Sequence, residues 1–202
     1  MPSTKRKVIV TGFGPFGSHS VNASSVAVRK LKEEGLKNDR VELMVTELPV
    51  EYDTVKDSVP QLWKQHEPLL VVHVGVSGIA TELTLEQQAH NDGYDKMDVM
   101  GKCPQTQCCV EDRDKNCVLV SGIDMERVCT AVNTAGIKVK ARVSHDPGRY
   151  LCDFSYFSSL HISDRNAAFI HVPPLDMPYT ASQLAEGLRV AINKMIEQVA
   201  DR

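Results

Sequence analysis

Short apolar runs alternate along the chain with stretches in which apolar residues recur every three to four positions. The apolar runs predict strands at 7–11, 41–48, 69–75, 139–144 and 167–172. The periodic stretches predict helices at 22–35, 51–66, 123–136, 149–160 and 180–201. Alternation of strands and helices is typical of a largely parallel sheet covered on both faces, so the pattern predicts an α/β fold.

Two places depart from this regular pattern. Pro60 lies inside the helix predicted at 51–66, where a missing N–H group predicts a kink or a break. The segment 87–121 shows no clear hydrophobic period, yet it contains four of the six cysteines. Segments of this length are typical of functional lids, or carry structure that a hydrophobic pattern does not indicate.

Length and composition fit one globular domain over residues 1–202. The chain is 42% hydrophobic and carries a net charge of −3, with acidic and basic residues interspersed, which argues against a nucleic-acid partner. No apolar run approaches the roughly 20 residues that span a bilayer, so no membrane partner is expected. The six cysteines are spaced irregularly in a chain that needs no disulfides, which predicts a reducing, cytosolic location.

The stretch VTGFGPFG at 10–17 has the G-x-G-x-x-G spacing of a dinucleotide-binding turn. That function needs small residues between the glycines and a helix that begins at once, so that N–H groups reach a pyrophosphate. Here Phe13 and Phe16 fill the gaps, and the first helix cap, Asn22, lies five residues beyond the last glycine. Two other interpretations stay open: a turn whose phenylalanines fill the core, or one whose rings form the wall of a small, flat, apolar ligand site.

A candidate nucleophile and base follow from two further stretches. Cys152 lies in the first turn of the helix predicted at 149–160, where free N–H groups and the helix dipole favour a thiolate. His171 ends the strand predicted at 167–172. The loop before Cys152 and the turns at 10–17 and 75–80 also follow predicted strands, so in a parallel sheet all these segments are expected at one edge. A Cys and a His that meet there predict nucleophilic acyl transfer.

A third group is expected to hold the imidazole in one tautomer. Glu86 and Asp98 are both candidates for this role. Among the other cysteines and histidines, the spacing of the cysteines in 87–121 does not favour a zinc site, because it lacks the C-x-x-C pairs of such sites. His73 is interpreted as a core residue. We therefore expect no metal and no organic cofactor.

From about residue 7 to 200 the chain resembles the pyroglutamyl-peptidase I family of cysteine peptidases (the C15 type), vertebrate members above all. The resemblance rests on VTGFGPFG, VNAS, VVHVGVSG, GRYLCDF and HVPPL. It implies a cytosolic omega-peptidase that removes N-terminal pyroglutamate from peptides without a cofactor, and an α/β/α sandwich. It further implies that Cys152 is the nucleophile, His171 the base and Glu86 the third member of a catalytic triad.

The resemblance also implies a pocket for the lactam ring of pyroglutamate. Phe13, Phe16 and Asn22 would contact the ring, with main-chain groups near Val76 and Leu151 completing the pocket. Pyroglutamate is small, flat and uncharged, so aromatic walls and a few backbone hydrogen bonds suit it.

Two departures from the family pattern keep an alternative open. Gln87 stands where the family usually has a basic residue, and Pro147 where it usually has a small one before the glycine of the nucleophile loop. Because proline removes an N–H group, a binding or regulatory homologue that has lost turnover is the first alternative. A nucleotide-binding module is the second.

Overall fold

The computed structural model describes residues 5–17, 21–163 and 165–200. Its strands are β1 (Arg6–Phe13), β2 (Val41–Leu48), β3 (Leu70–Val76), β4 (Leu83–Glu86), β5 (Gln88–His90), β6 (Val118–Val120), β7 (Ala141–Ser144) and β8 (Ala167–Val172). Its helices are α1 (Ala23–Glu34), α2 (Tyr52–His66), α3 (Met125–Thr134), α4 (Leu151–Ile162) and α5 (Ala181–Ala200). Residue 201, the predicted end of the last helix, lies outside the described residues.

Six strands form the central sheet in the order β2-β1-β3-β8-β4-β7. β2, β1, β3 and β8 run parallel, whereas β4 is antiparallel to β8 and parallel to β7. The sheet is therefore mostly parallel, as the α/β pattern predicts. One expectation is wrong: β7, the strand before Cys152, runs against β8 and does not end at the edge where β1, β3 and β8 end.

Helices cover both faces of this sheet. α1, α3 and α5 pack against one face over an aliphatic core that includes Val10, Val72 and Ile170. α2 and α4 pack against the other, whose core is aromatic and includes Phe154 and Phe169. None of the helices in the described ranges is long and apolar enough to cross a membrane.

Polar side chains cap the first turns of α1 and α5. Asn22 caps α1, since its Oδ1 accepts from the Ser24 N–H at 3.0 Å. Thr180 plays the same part for α5, where its Oγ1 accepts from the Gln183 N–H at 3.3 Å. α2 continues through Pro60 to His66, so the proline does not break the helix.

The segment 87–121 is ordered by short strands and by buried polar side chains. β5 and β6 pair as an antiparallel ribbon at its two ends. Between them, the side-chain amide of Asn91 donates to the carbonyls of Val110 and Asp114 and accepts from the Val110 N–H. Such hydrogen bonds need no hydrophobic period, which explains why the sequence pattern does not indicate the structure of this segment.

Candidate active site

Cys152 is the second residue of α4 and lies over the middle of the sheet. α4 begins after Tyr150, and nine of its twelve residues are buried. The half-buried Cys152 thiol therefore sits beside the free N–H groups at the helix N-terminus, which favour negative charge there. The sequence predicts this place at a helix start, because Cys152 follows a strand and a bend that contains Gly148.

His171 and Glu86 come from neighbouring antiparallel strands. His171 stands near the end of β8, and its Nδ1–H donates to Glu86 Oε1 at 2.8 Å. Both side chains are almost wholly buried. The Tyr156 hydroxyl donates to the Glu86 carbonyl at 2.8 Å, which fixes the end of β4 against α4. The remaining ring nitrogen of His171, Nε2, is left for the thiol.

Charge explains the protonation state of His171. Burial opposes the charged imidazolium. Cys152 and Glu86 both favour it, each through its charge and a hydrogen bond to the ring. Together they outweigh burial and raise the pKa of His171 from 6.5 to about 10. The imidazole is therefore charged at neutral pH and lies between a sulfur and a carboxylate. This is the arrangement in which an imidazole takes up and returns a proton.

Gly75 makes room for the thiol. An added Cβ at this position in β3 would lie 2.8 Å from Cys152 Sγ and 2.8 Å from the Phe169 ring. Such distances are too short for any side chain. The absence of a side chain at Gly75 thus lets the sulfur rest against the sheet.

We expect Gly75→Ala to lower kcat by about 10-fold or more, because misplacing a reacting atom by about 1 Å can cost up to ~10²-fold. The measurement is steady-state kinetics, with the melting temperature as a check on folding. Gly78→Ala is the matched control, since a Cβ there meets no atom within 4 Å. Equal kinetics for the two variants would contradict this role of Gly75.

A pocket of about 370 Å³ opens beside these three side chains. All five residues implied for lactam binding line it, namely Phe13, Phe16, Asn22, Val76 and Leu151. Phe13 is buried at the end of β1, whereas Phe16 is half-buried. Asn22 Nδ2 donates to the Gly14 carbonyl at 3.0 Å, which leaves one of its two N–H donors for a ligand.

The glycine-rich loop is a poor site for a phosphate. A Cβ at Gly14 would lie 3.3 Å from Glu47 Oε1, so a carboxylate stands beside the loop. A Cβ at Gly12 would meet the backbone of α1 at 3.0 Å, so this glycine serves the packing of β1 against α1. Strand–helix packing and a tight turn thus account for the glycines, and the loop's aromatic rings line the pocket.

Asp98 lies away from His171 and does not line the pocket. Its carboxylate accepts from the backbone N–H groups of Tyr52, Met100 and Lys102. Burial opposes its charge, but these hydrogen bonds lower the pKa of Asp98 below 3.8. The structure therefore brings Glu86, and not Asp98, to the imidazole.

The two departures from the family pattern have different surroundings. The Gln87 side chain donates to the Ile123 carbonyl at 2.9 Å and accepts from the Met125 N–H at 3.1 Å, so it ties β4 to the start of α3. Pro147 borders the pocket, in a turn where the Gly148 N–H donates to Asp146. Only Pro147 is placed to touch a substrate.

His73 is a core residue, as interpreted from the sequence. Its ring nitrogens pair with the Thr11 and Ser159 hydroxyls, each at 2.7 Å. Burial lowers the pKa of His73 to about 3, so the ring stays neutral. Among the described residues, no three His, Cys, Asp or Glu side chains converge as a metal site would require.

The sequence does not single out several residues that line the pocket, Thr84 and Arg142 among them. Thr84 pairs with His171 across β4 and β8, and Arg142 pairs with Thr84 across β7 and β4. Both side chains line the pocket. Thr84 lies two residues before Glu86 in β4, so the alternation of side chains in a strand puts both on the same face. The pairing of Arg142 with Thr84 becomes apparent only when the directions of β4 and β7 are known.

A thiol at a helix N-terminus, an imidazole and a buried carboxylate on an α/β sandwich define a cysteine hydrolase. Comparison with known proteins narrows this class. The model of a family described as pyroglutamyl peptidase, Peptidase C15, matches residues 6–200. The chain belongs to this family.

Relatives with full-length similarity support the assignment. The chain is 52% identical to pyroglutamyl-peptidase 1 of Homo sapiens, over 98% of this chain and 93% of the relative. It is 30% identical to the pyrrolidone-carboxylate peptidase of Thermococcus kodakarensis, over 96% and 97% of the two chains. A crystal structure of pyroglutamyl peptidase I from Bacillus amyloliquefaciens has the same fold, with a TM-score of 0.81 at 20% identity over 96% and 98% of the chains.

Proposed function

We propose that this protein is a cysteine peptidase that hydrolyses the bond after an N-terminal pyroglutamyl residue, with Cys152, His171 and Glu86 as its catalytic residues. One observation carries the assignment of residues. His171 Nδ1 and Glu86 Oε1 are 2.8 Å apart, and both residues line the same pocket as Cys152. The class of reaction follows from the family to which the chain belongs.

In the first half of the reaction, His171 already holds a proton on Nε2, and the Cys152 thiolate beside it attacks the pyroglutamyl carbonyl carbon. N–H groups at the start of α4 are placed to stabilise the negative oxygen that forms. The C–N bond then breaks, and His171 gives this proton to the leaving amine. The product of this half is a thioester on Cys152 and a shortened peptide.

In the second half, water takes the place of the leaving peptide. His171 removes one proton as the water oxygen attacks the thioester carbon, and the C–S bond breaks. The sulfur is released as a thiolate beside the protonated His171, and free pyroglutamate leaves the site. Glu86 holds Nδ1–H throughout, so that Nε2 faces the reacting atoms in both halves.

The character of the pocket explains the choice of substrate. Phe13, Phe16 and Val76 give it apolar walls. Two carboxylates line the pocket: Glu86 is paired with His171 and Asp146 with Arg149, so neither is free to bind an α-amine. A neutral lactam therefore fits, whereas an ordinary charged N-terminus would lose its hydration without a partner.

The test is hydrolysis of fluorogenic amides by the purified protein. We expect turnover of the pyroglutamyl amide and at least about 100-fold less of the prolyl and glutaminyl amides, because each carries a charged amine. No turnover of the pyroglutamyl amide, despite binding of the free lactam, would favour the impaired homologue that Pro147 suggests.

The proposal extends to the setting in which the enzyme works. All six cysteines lie in the described ranges and are free thiols. Because the mechanism needs a reduced Cys152, we place the enzyme in the cytosol, with pyroglutamyl peptides as partners and neither nucleic acid nor membrane. Fractionation of cells for the pyroglutamyl-amide activity tests this location.

Loss of one aromatic wall should weaken the substrate contact. We expect Phe16→Ala to lower kcat/KM by roughly 5- to 150-fold, the equivalent of about 1–3 kcal/mol of apolar pocket contact. Phe13→Ala should have an effect of this size plus a loss of stability, because Phe13 is also part of the aromatic core.

Two controls keep this prediction specific. Phe16→Leu retains apolar volume and should recover much of the loss. The rate at which iodoacetamide alkylates Cys152 should stay near that of the wild type, because thiol activation does not depend on Phe16. Normal processing of pyroglutamyl substrate by both alanine variants would assign the two rings to core packing alone.

A further inference from the structure

Two cations at the rim of the pocket lack strong anionic partners. Lys96 is exposed and makes no ion pair within the described residues. In the part of the chain that the structure describes, the one ion pair of Arg142 is a long contact to Glu82 at 3.9 Å, and the Arg142 side chain is 56% exposed. The third rim cation, Arg149, is neutralised by Asp146 at 2.6 Å. The rim therefore carries unbalanced positive charge.

Arg142 is fixed in its place relative to the reacting groups. It pairs with Thr84, and Thr84 pairs with His171, so the three residues form one row across neighbouring strands. Arg142 Nε lies 3.4 Å from Thr84 Oγ1, which keeps the guanidinium on the pocket side of the sheet. Because adjacent strands lie about 4.8 Å apart, the backbone of Arg142 is roughly 10 Å from that of His171.

This distance would let Arg142 contact the part of a substrate that follows the cleaved bond. His171 protonates the leaving amine, so the leaving peptide starts beside it. An extended chain advances about 3.3 Å per residue. A carboxylate on the side chain of the first residue of the leaving peptide, or the free C-terminus of that same residue, can therefore reach Arg142.

We propose that the rim formed by Arg142 and Lys96 selects pyroglutamyl peptides that carry a carboxylate directly after the pyroglutamyl group. The carboxylate is either an acidic side chain or the free C-terminus of a dipeptide. The proposal rests on the proposed function and deepens it. Arg142 acts on the leaving peptide and takes no part in bond cleavage.

The experiment compares kcat/KM for pyroglutamyl-X-alaninamides in which X is Glu, Gln or Lys. At low ionic strength kcat/KM for the Glu peptide should exceed that for the Gln peptide by roughly 3- to 10-fold, as expected for two exposed charge contacts. The value for the Lys peptide should be lower than that for the Gln peptide. About 0.5 M salt should reduce these ratios, because it screens exposed charges. Pyroglutamyl-alanine against pyroglutamyl-alaninamide tests the C-terminal source separately.

Charge-removing variants assign the effect to its residue. In Arg142→Gln the Glu-to-Gln ratio should fall towards one. Lys64→Gln is the matched control, because Lys64 is an exposed cation in the last turn of α2, away from the pocket, and it should change neither the ratio nor the rate. Equal hydrolysis of the Glu, Gln and Lys peptides would overturn the proposal while leaving the proposed function intact. No hydrolysis of any of them would overturn both.

Discussion

Cys152→Ala is expected to reduce hydrolysis of a pyroglutamyl amide by roughly 10³-fold or more, since removal of a nucleophile leaves only binding and oxyanion stabilisation. The fold should persist, because alanine is small and the thiol is only half-buried at the start of α4. Steady-state kinetics and the melting temperature together measure the two expectations. Cys152→Ser should be almost equally inactive, since a hydroxyl is a far weaker nucleophile than a thiolate.

A second cysteine provides the control. Cys103 is an exposed free thiol that does not line the pocket, so Cys103→Ala should retain wild-type activity. Mass spectrometry after brief exposure to iodoacetamide should find label on Cys152 in the active enzyme, in step with inactivation. A Cys152→Ala variant with a tenth of wild-type activity would show that another residue is the nucleophile.

Glu86→Gln is expected to lower kcat by about 10²- to 10⁴-fold and to change KM much less, because orientation of the imidazole matters mainly in the transition state. The variant preserves the shape of the side chain and an oxygen that can accept from His171 Nδ1–H. What it removes is the negative charge. The loss therefore measures the charge and the enforced tautomer.

The pH profile gives a second readout of the same variant. The Glu86 carboxylate is one of the groups that raise the pKa of His171 to about 10. Its removal must lower that pKa, so the descending basic limb of kcat/KM should move to lower pH. Asp98→Asn is the comparison, and it should destabilise the segment 87–121 without moving the limb. A larger kcat loss in Asp98→Asn than in Glu86→Gln would pass the orienting role to Asp98.

The sequence indicates the nucleophile and the base because each lies at the boundary of a helix or strand that nearby residues predict. The start of an aromatic helix locates Cys152, and a buried strand followed by two prolines locates His171. The alternation of elements indicates the mostly parallel sheet in the same way. These signals depend on residues close in sequence, which a single chain displays directly.

The choice between Glu86 and Asp98 needed the tertiary structure. Both are acids in polar surroundings, and the direction of β4 decides which one meets the imidazole. That direction is not encoded in hydrophobic alternation, which reads the same from either end. The hydrogen bonds that hold Asp98 come from backbone groups of Tyr52 and Lys102, one of them far away in the chain. For the same reason, the sequence does not indicate that Arg142 lies at the pocket.

The place of β8 in the sheet has a consequence for the newly made protein. Among the strands that the structure describes, β8 comes last along the chain, yet it lies between β3 and β4 in the sheet. The contact between His171 and Glu86 joins residues 85 positions apart. On a ribosome, the chain therefore has its carboxylate long before its imidazole, and its thiol is made shortly before the imidazole. We expect a nascent chain to remain inert towards peptides until β8 has been made and has entered the sheet between β3 and β4.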